Sequence, residues 1–190
     1  MIDPGHGGSD KGAVLGSGLT EKQVALSFAR ELRKELVERG VACRLLRESD
    51  TLISLEKRAE LANQQRPFLY LGIHASSGPG GVRVYAPLVD KSAASAPPFL
   101  AWNAAQYPAT ERSGAFAKSI TRELQRRNIH VTGLSATLRP LNNITAPAIG
   151  VELAAPPADA GTLLSQKIEN PIAAAVAIAI TQTHPAGVHP

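Results

Sequence analysis

An apolar run over residues 68–73 (FLYLGI) is the feature that most constrains the fold. A strand with one face in water alternates apolar and polar residues, whereas a nearly continuous apolar run is typical of a strand buried on both faces. Such strands lie inside parallel sheets that are covered by helices. The run therefore predicts the centre of a layered α/β domain.

Helical and strand patterns alternate along the rest of the chain, which predicts a mostly parallel, twisted sheet of about six strands with helices on both faces. Thr20 and Gln23 predict a capping box that opens a helix ending at Gly40. Ser54 is expected to cap a second helix. The other predicted elements are helices at about 54–65, 114–127 and 166–183 and strands at 41–46, 82–86, 137–139 and 148–153.

Bulk properties favour one domain over residues 1–190, because 44% hydrophobic and 19% charged residues exclude a disordered or fibrous chain. The net charge of +4 does not predict nucleic-acid binding, since basic residues are interspersed with acids. The single cysteine, Cys43, excludes an internal disulfide and is expected to be a buried thiol. We expect no membrane span, because no apolar stretch is long enough. Met1 runs directly into the first strand, so we expect an excised domain whose upstream part, including any signal peptide, is missing.

Three polar residues, His6, Glu21 and His74, stand where a strand meets a loop or a helix begins. Two imidazoles and a carboxylate are a recurring ligand set for catalytic zinc, which keeps one position open to water and so predicts a hydrolase. In parallel sheets ligands gather at the carboxyl ends of strands, where His6, His74 and Glu152 are expected. Taken singly, each of the three has a simpler interpretation: a polar residue in a glycine turn, a first-turn helix acid, and a hydrogen-bonded core histidine.

The motifs around these residues resemble one family, the zinc-dependent N-acetylmuramoyl-L-alanine amidases of the amidase 3 family. The similarity is close from residue 2 to residue 74, looser beyond it, and recovers at 147–153 and in the last helix. The residues that carry it are IDPGHGG at 2–8, GLTEK at 18–22, Arg47, Asp50, the SLxxRxxxAN pattern at 54–63, GIHA at 72–75 and PAIGVEL at 147–153.

The resemblance implies that His6, Glu21 and His74 bind Zn²⁺ and that Glu152 is the catalytic carboxylate. It also implies the substrate, the peptidoglycan amide between N-acetylmuramic acid and L-alanine, and a role in cell-wall remodelling, cell separation or lysis. The expected location is the bacterial periplasm or cell exterior, with a monomer favoured. Arg47, Asp50, Arg58 and Asn63 are interpreted as scaffold residues near the site, and His130, His184 and His189 as surface residues.

Two departures from the family pattern adjoin the proposed site. Ser76 stands where the family often has asparagine, and Glu-Leu-Ala-Ala-Pro-Pro at 152–157 replaces Glu-Leu-Gly-Phe followed by Ser-Asn. They motivate an alternative function, a catalytically impaired peptidoglycan-binding or regulatory module. A third hypothesis keeps the metal but changes the substrate, which would make the chain a zinc peptidase. The simpler interpretation of Glu152 is a buried acid that is salt-bridged to a base such as Arg139.

The segment 89–112 is rich in Ala, Ser and Pro and is long for a connection within a compact domain. It occupies the position where some family members carry an autoinhibitory helix over the zinc. We therefore expect either a lid opened by an activator protein or a peripheral loop packed by Trp102 and Phe99. If the segment is a lid, Glu111 or Asp90 would be an extra metal contact and Trp102 would contact the substrate. Ser76, outside the segment, is also a candidate substrate contact.

Overall fold

The computed structural model describes residues 1–89 and 104–183. The strands are β1 Ile2–Pro4, β2 Val14–Gly16, β3 Leu19–Thr20, β4 Tyr70–Ser77, β5 Gly81–Pro87, β6 Val131–Ala136 and β7 Ala148–Ala155. The helices are α1 Glu21–Glu38, α2 Leu55–Gln65, α3 Thr110–Arg126 and α4 Gln166–Thr183. Short 3₁₀ helices occupy Tyr107–Ala109, Leu141–Asn143 and Pro157–Leu164.

The main sheet has five strands in the order β1-β4-β7-β5-β6, and β2 and β3 form a separate two-stranded sheet. β1, β4 and β7 are parallel, β5 is antiparallel to β7, and β6 is parallel to β5. The prediction of a mostly parallel α/β sheet is confirmed. The sheet nevertheless has five strands where about six were expected.

The expected strand at 41–46 is wrong as a full strand, because only a single bridge joins Leu45 to Ile2. Ile2 N donates to Arg44 O, and Leu46 N donates to Ile2 O, both at 2.8 Å. β1 is three residues long and ends at Pro4, which has no N–H to extend a ladder. The segment can therefore pair with β1 at one position only.

The two faces of the sheet are covered unequally. One face packs against α1, α3 and α4 through the larger core cluster, which includes Phe28, Ile73 and Val151. The opposite face buries Tyr70 and Ala148 in a smaller cluster beneath α2 and the 3₁₀ turn at Leu141–Asn143. Further along the same strands, the positions on this second face carry polar side chains, because alternate residues of a strand share a face.

The helix starts predicted from capping residues are confirmed at α1 and α2. Thr20 N donates to Gln23 Oε1 at 3.0 Å, so α1 begins at Glu21. Ser54 Oγ accepts from Lys57 N at 3.2 Å and caps α2. Because Glu21 is the first residue of α1, the cap also fixes the backbone position from which the Glu21 side chain extends.

Several boundaries differ from the prediction. β4 continues to Ser77 and β7 to Ala155, since the two strands pair along eight residues. His74 and Glu152 therefore lie inside strands and not at their ends. The strand expected at 137–139 is found at Val131–Ala136, where it pairs with β5, and α3 starts at Thr110 because a 3₁₀ turn leads into it.

Two further expectations concern burial and membranes. Cys43 is half-buried against the core, where full burial was expected. Within the described part of the chain, no helix alone has the length and apolar composition to cross a membrane. Only the bent pair Pro157–Leu164 and α4, at 66° to each other, meets those two criteria jointly.

Candidate metal centre

His6 lies in the loop that follows β1, in a left-handed backbone conformation with φ 59°. Such a conformation costs a non-glycine residue about 1–3 kcal/mol and persists where neighbouring contacts hold it. Two guanidinium groups supply those contacts here. Arg47 donates to Pro4 O at 2.9 Å and Gly5 O at 2.8 Å, and Arg58 donates to His6 O at 2.6 Å.

A buried polar network lies directly behind this loop. The Asp3 carboxylate accepts hydrogen bonds from Arg58 and from the hydroxyl of Tyr70, and both ionic side chains are only 3% exposed. Burial raises the pKa of Asp3, and the Arg58 guanidinium opposes that rise. Arg58 therefore joins β1, the His6 loop and α2, as expected of a scaffold residue.

Asp50 and Asn63, also interpreted as scaffold residues, fix two other loops. Asp50 accepts from Gly8 N at 2.7 Å and from Lys22 Nζ at 2.6 Å. Asn63 donates to Asn143 O at 2.9 Å and accepts from Thr145 N at 2.8 Å. Asp50 thus ties the glycine-rich loop to the start of α1.

The three residues predicted to bind metal converge around one carboxylate oxygen. Glu21 Oε1 lies 3.1 Å from His6 Nε2 and 2.7 Å from His74 Nδ1. The two imidazole rings are 5.4 Å apart and nearly perpendicular. One donor atom from each of the three residues lies within 4.8 Å of the others. The β1 loop, the first turn of α1 and the middle of β4 thus direct their donors to one point.

Neighbouring groups hold the three donors in place. Asp10 Oδ2 is 2.9 Å from His6 Nδ1, which leaves Nε2 facing the centre. Glu21 Oε2 accepts from Ala13 N at 3.0 Å, which leaves Oε1 facing the centre. A carboxylate behind a ligating histidine is the usual outer partner in zinc sites, where it fixes the tautomer and the ring orientation.

The charges of these groups are strongly coupled in the metal-free protein. Burial alone would raise the pKa of Glu21, but hydrogen bonds with His6, His74 and Ala13 hold it well below its usual value. The hydrogen bond with Glu21 raises the pKa of His6, with burial opposing and Asp10 assisting. Glu21 is thus held as a carboxylate at neutral pH, which is the form that a metal ligand requires.

Two imidazole nitrogens and one carboxylate oxygen with fixed outer partners fit a Zn²⁺ site in donor type, number and convergence. The set leaves room for further ligands, because a cavity of about 310 Å³ opens beside Glu21 and His74. Glu152, Tyr85 and Arg139 line the same cavity. Larger hollows of about 490 Å³ lie beside α3 and at the start of α4, with linings that do not include these donors.

Glu152 lies on β7, directly opposite His74 on β4 and Arg83 on β5. Its carboxylate oxygen Oε1 accepts from Ser76 Oγ and, at 2.6 Å, from Arg83 Nη1. The other oxygen, Oε2, accepts from the Tyr85 hydroxyl at 2.9 Å. The side chain of Glu152 is 16% exposed, so it is partly buried and still faces the cavity.

The sequence interpretation missed Arg83 and Tyr85. Its simpler alternative for Glu152, an acid salt-bridged to a base, gave Arg139 as an example, but the base that pairs with Glu152 is Arg83. Arg139 pairs instead with Glu56 at 2.6 Å, on the exposed rim. Arg83 and Tyr85 are two residues apart within a predicted strand, which was a signal that they share a face. Their proximity to Glu152 depends on strand order, which that local pattern does not contain.

Part of the expected lid segment is integral to the fold. Gln106 is fully buried and donates to Ile144 O at 2.6 Å and Ala146 O at 2.8 Å, and its own oxygen accepts from Ser113 Oγ at 2.6 Å. Glu111 is exposed in the first turn of α3 and is not part of the described cavity wall. The described residues of this segment, 104–112, are therefore packed as part of the fold.

Other predictions for this segment fall on Asp90, Phe99 and Trp102, which lie outside the described residues, as do His184 and His189. His130 lies at the surface as expected, with Nδ1 2.9 Å from Gly80 O.

Comparisons with known proteins agree with this architecture. The model of the N-acetylmuramoyl-L-alanine amidase family, Amidase_3, matches residues 1–182. Amidase AmiA of Salmonella typhimurium is 44% identical over 75 residues, covering 40% of this chain and 26% of AmiA. The sporulation-specific amidase of Bacillus subtilis is 47% identical over 82 residues, covering 42% of this chain and 32% of that protein. The matches thus span about a quarter to a third of these relatives.

Solved amidase structures share the fold along nearly the whole chain. AmiC2 of Nostoc punctiforme is 28% identical with a TM-score of 0.73, and the match covers 95% of this chain and 93% of AmiC2. The amidase of Clostridium difficile 630 is 23% identical with a TM-score of 0.76, covering 98% of this chain and 96% of that one.

Proposed function

We propose that this chain, which belongs to the N-acetylmuramoyl-L-alanine amidase family, hydrolyses the amide between the lactyl group of N-acetylmuramic acid and L-alanine in peptidoglycan. One observation carries the proposal. A three-donor centre of His6, Glu21 and His74 and a fourth carboxylate, Glu152, open into the same cavity. This arrangement provides a place for a metal and a place for a base.

His6 Nε2, Glu21 Oε1 and His74 Nδ1 are the atoms that would hold Zn²⁺. When bound, zinc supplies Lewis-acid polarisation of a carbonyl and lowers the pKa of water to about 7. The protein contributes the fixed orientation of the donors, through Asp10 behind His6 and the Ala13 amide behind Glu21. Donor type and outer partners support zinc over a hard, all-oxygen cation such as Mg²⁺.

Glu152 is the proposed general base and acid. It takes a proton from the water that attacks the amide carbon, and it returns that proton to the nitrogen of L-alanine as the C–N bond breaks. The products are a lactyl carboxylate and a free amine on the stem peptide. Proton transfer by a positioned side chain contributes about 10²–10⁴-fold to a rate.

Peptidoglycan as substrate, the bacterial cell envelope as the site of action and an activator protein as partner all follow from the resemblance to the family. The lid expected within 89–112 is also proposed, and residues 90–103 of that segment lie outside the described part of the chain. Removing residues 90–103 alone should raise turnover if they form a lid. Removing all of 89–112 would also delete Gln106, whose buried hydrogen bonds join α3 to the loop before β7.

The contacts of Glu152 favour one alternative, a catalytically impaired peptidoglycan-binding module. A carboxylate already bonded by Ser76, Arg83 and Tyr85 has fewer free lone pairs for a water molecule. Such a module would bind sacculi without releasing stem peptides. A zinc peptidase would instead release amino acids or peptides that were cut from within the stem.

Digestion of purified sacculi by the zinc-loaded protein tests the proposal. We expect new L-alanine amino termini without new reducing sugar ends, and we expect Glu152→Gln to lower the rate by about 10²–10⁴-fold while zinc stays bound. His130→Gln, at the surface, is the matched control and should retain the wild-type rate. Full activity of Glu152→Gln would reject the assigned mechanism.

A further inference from the structure

Glu152 is held by a set of three donors from the two strands beside it, Ser76 on β4 and Arg83 and Tyr85 on β5. Together the four residues are called the Glu152 cluster. Its members lie on the same face of the sheet as His74, because His74 and Arg83 are both register partners of Glu152. The carboxylate is thus fixed from both sides by neighbouring strands.

The two oxygens of the Glu152 carboxylate have different partners. Oε1 accepts from a cation and a hydroxyl, Arg83 Nη1 at 2.6 Å and Ser76 Oγ. Arg83 Nη1 also donates to Ser76 Oγ at 2.7 Å. A terminal guanidinium nitrogen carries two hydrogens, so one can go to each oxygen while the serine hydroxyl donates its own hydrogen to Oε1.

Oε2 has a different kind of partner, the Tyr85 hydroxyl at 2.9 Å. A phenol can donate to a carboxylate and can equally accept from a carboxylic acid, whereas a guanidinium can only donate. Burial, followed by the hydrogen bond to Glu152, raises the pKa of Tyr85 to about 12, so the phenol keeps its proton at neutral pH. Tyr85 can therefore hold Glu152 in either protonation state.

We infer that Arg83 and Tyr85 are positioning residues for Glu152, and that Oε2 is the oxygen that takes and returns the proton during amide hydrolysis. The inference rests on the proposed function. A proton placed on Oε1 would point at Arg83 and lose a charge-assisted hydrogen bond. A proton placed on Oε2 leaves the Arg83 contact intact and needs only a rotation of the Tyr85 hydroxyl.

The glycine at position 78 supports a fixed role for Arg83. A Cβ at Gly78 would lie 3.1 Å from Arg83 Nη2, so the turn between β4 and β5 leaves just enough room for the guanidinium. Ser76 has a short side chain, which lets Arg83 Nη1 contact it and Glu152 together. The departure from the family pattern at Ser76 is thus part of the contact that orients Glu152.

Steady-state kinetics of the zinc-loaded protein on soluble peptidoglycan fragments tests the inference. For Arg83→Gln and Tyr85→Phe we expect kcat to fall by about 10–100-fold, with KM within about threefold and zinc content unchanged, because the changed groups orient Glu152 without binding substrate. Arg83→Lys should recover part of kcat, since it keeps the charge but not the fork. Arg44→Gln and Tyr107→Phe are matched surface controls and should behave as wild type.

A second readout needs no turnover. In the metal-free protein we expect Arg83→Gln to lower the urea midpoint, and to have little further effect in a Glu152→Gln background, because the contact is then already lost. The inference would be overturned if Arg83→Gln lowered the urea midpoint equally in both backgrounds. It would also be overturned if kcat of Arg83→Gln and Tyr85→Phe stayed within about twofold of an active wild type, and the proposed function would then still stand. A zinc-loaded wild type that leaves the amide intact would overturn the proposed function and the inference with it.

Discussion

His74 and Glu152 are directly paired in register on the neighbouring parallel strands β4 and β7. Paired residues in adjacent strands project from the same face, at a separation set by the spacing of the sheet. One ligand of the candidate metal centre and the proposed base are therefore held together by backbone hydrogen bonds on both strands. Movement of one backbone relative to the other would require breaking the hydrogen bonds between β4 and β7.

Asp10 is expected to control metal affinity without binding the metal. Its carboxylate is 2.9 Å from His6 Nδ1 and orients the ring. Asp10→Asn should weaken zinc binding by about 10–100-fold, as loss of an outer partner does in other zinc sites. Isothermal titration with a competing chelator measures the change. Asp159→Asn, in an exposed 3₁₀ helix, should leave the affinity as it is.

Gly12 is expected to be essential for the geometry of the centre. Its φ is +63°, and a Cβ would lie 2.7 Å from both Glu21 Oε2 and His6 Cδ2. Gly12→Ala should therefore cost about 1–2 kcal/mol for its left-handed backbone and should also displace Glu21 and His6, two of the proposed zinc ligands. Gly18 provides the control, with φ +77° and no atom within 4 Å of a Cβ.

Unfolding curves and zinc content separate the two effects. Gly18→Ala should be destabilised to a similar degree and still bind zinc stoichiometrically. Stoichiometric zinc in Gly12→Ala would show that the ligands do not depend on this close approach.

The buried Asp3–Arg58 pair is expected to make the fold sensitive to the loss of either partner. Arg58→Ala would leave the Asp3 carboxylate buried without its cation, and losing one partner of such a pair costs about 3–5 kcal/mol. It would also remove the hydrogen bond to His6 O. Urea unfolding measures the loss. Lys57→Ala, which breaks an exposed pair with Glu60, should cost less than about 1 kcal/mol.

The metal-free protein should be most stable in mildly acidic solution. The pKa of Glu21 is lowered from 4.5, so its contribution is present above pH 4.5 and is lost as the pH falls. The pKa of His6 is raised from 6.5, so its contribution is present below pH 6.5 and is lost as the pH rises through the raised pKa. Urea midpoints against pH measure both limbs.

His6→Asn should abolish the fall in the urea midpoint that His6 causes as the pH rises above 6.5. A midpoint that keeps rising above pH 7 in the wild type, or a decline of equal size in His6→Asn, would contradict this assignment.

The convergence of His6, Glu21 and His74 could be predicted from sequence because local signals place these residues. A capping box places Glu21 at the start of α1, a buried apolar run leads into His74, and glycines surround His6. Arg83 and Tyr85 were missed because β7 is inserted between β4 and β5 in the sheet. That insertion comes from contacts about 70 residues apart in the chain, as between Arg83 and Glu152, and no local pattern encodes it.

The incorrect strand at 41–46 has a similar origin. Its apolar composition suits a strand, but strand formation also needs a partner with free hydrogen-bonding groups. β1 offers only Ile2 at that edge. The short length of β1 therefore prevents residues 41–46 from forming a full strand, although their composition favours one.

The central claim, a metal-dependent amidase built on His6, Glu21, His74 and Glu152, is tested most directly by one measurement. Zinc is quantified in the purified protein while sacculi are digested with and without a chelator, and the released ends are identified. We expect about one zinc per chain, new L-alanine amino termini, and loss of release on chelation that zinc restores. Release that persists in metal-free protein, or cleavage between amino acids of the stem, would contradict the account.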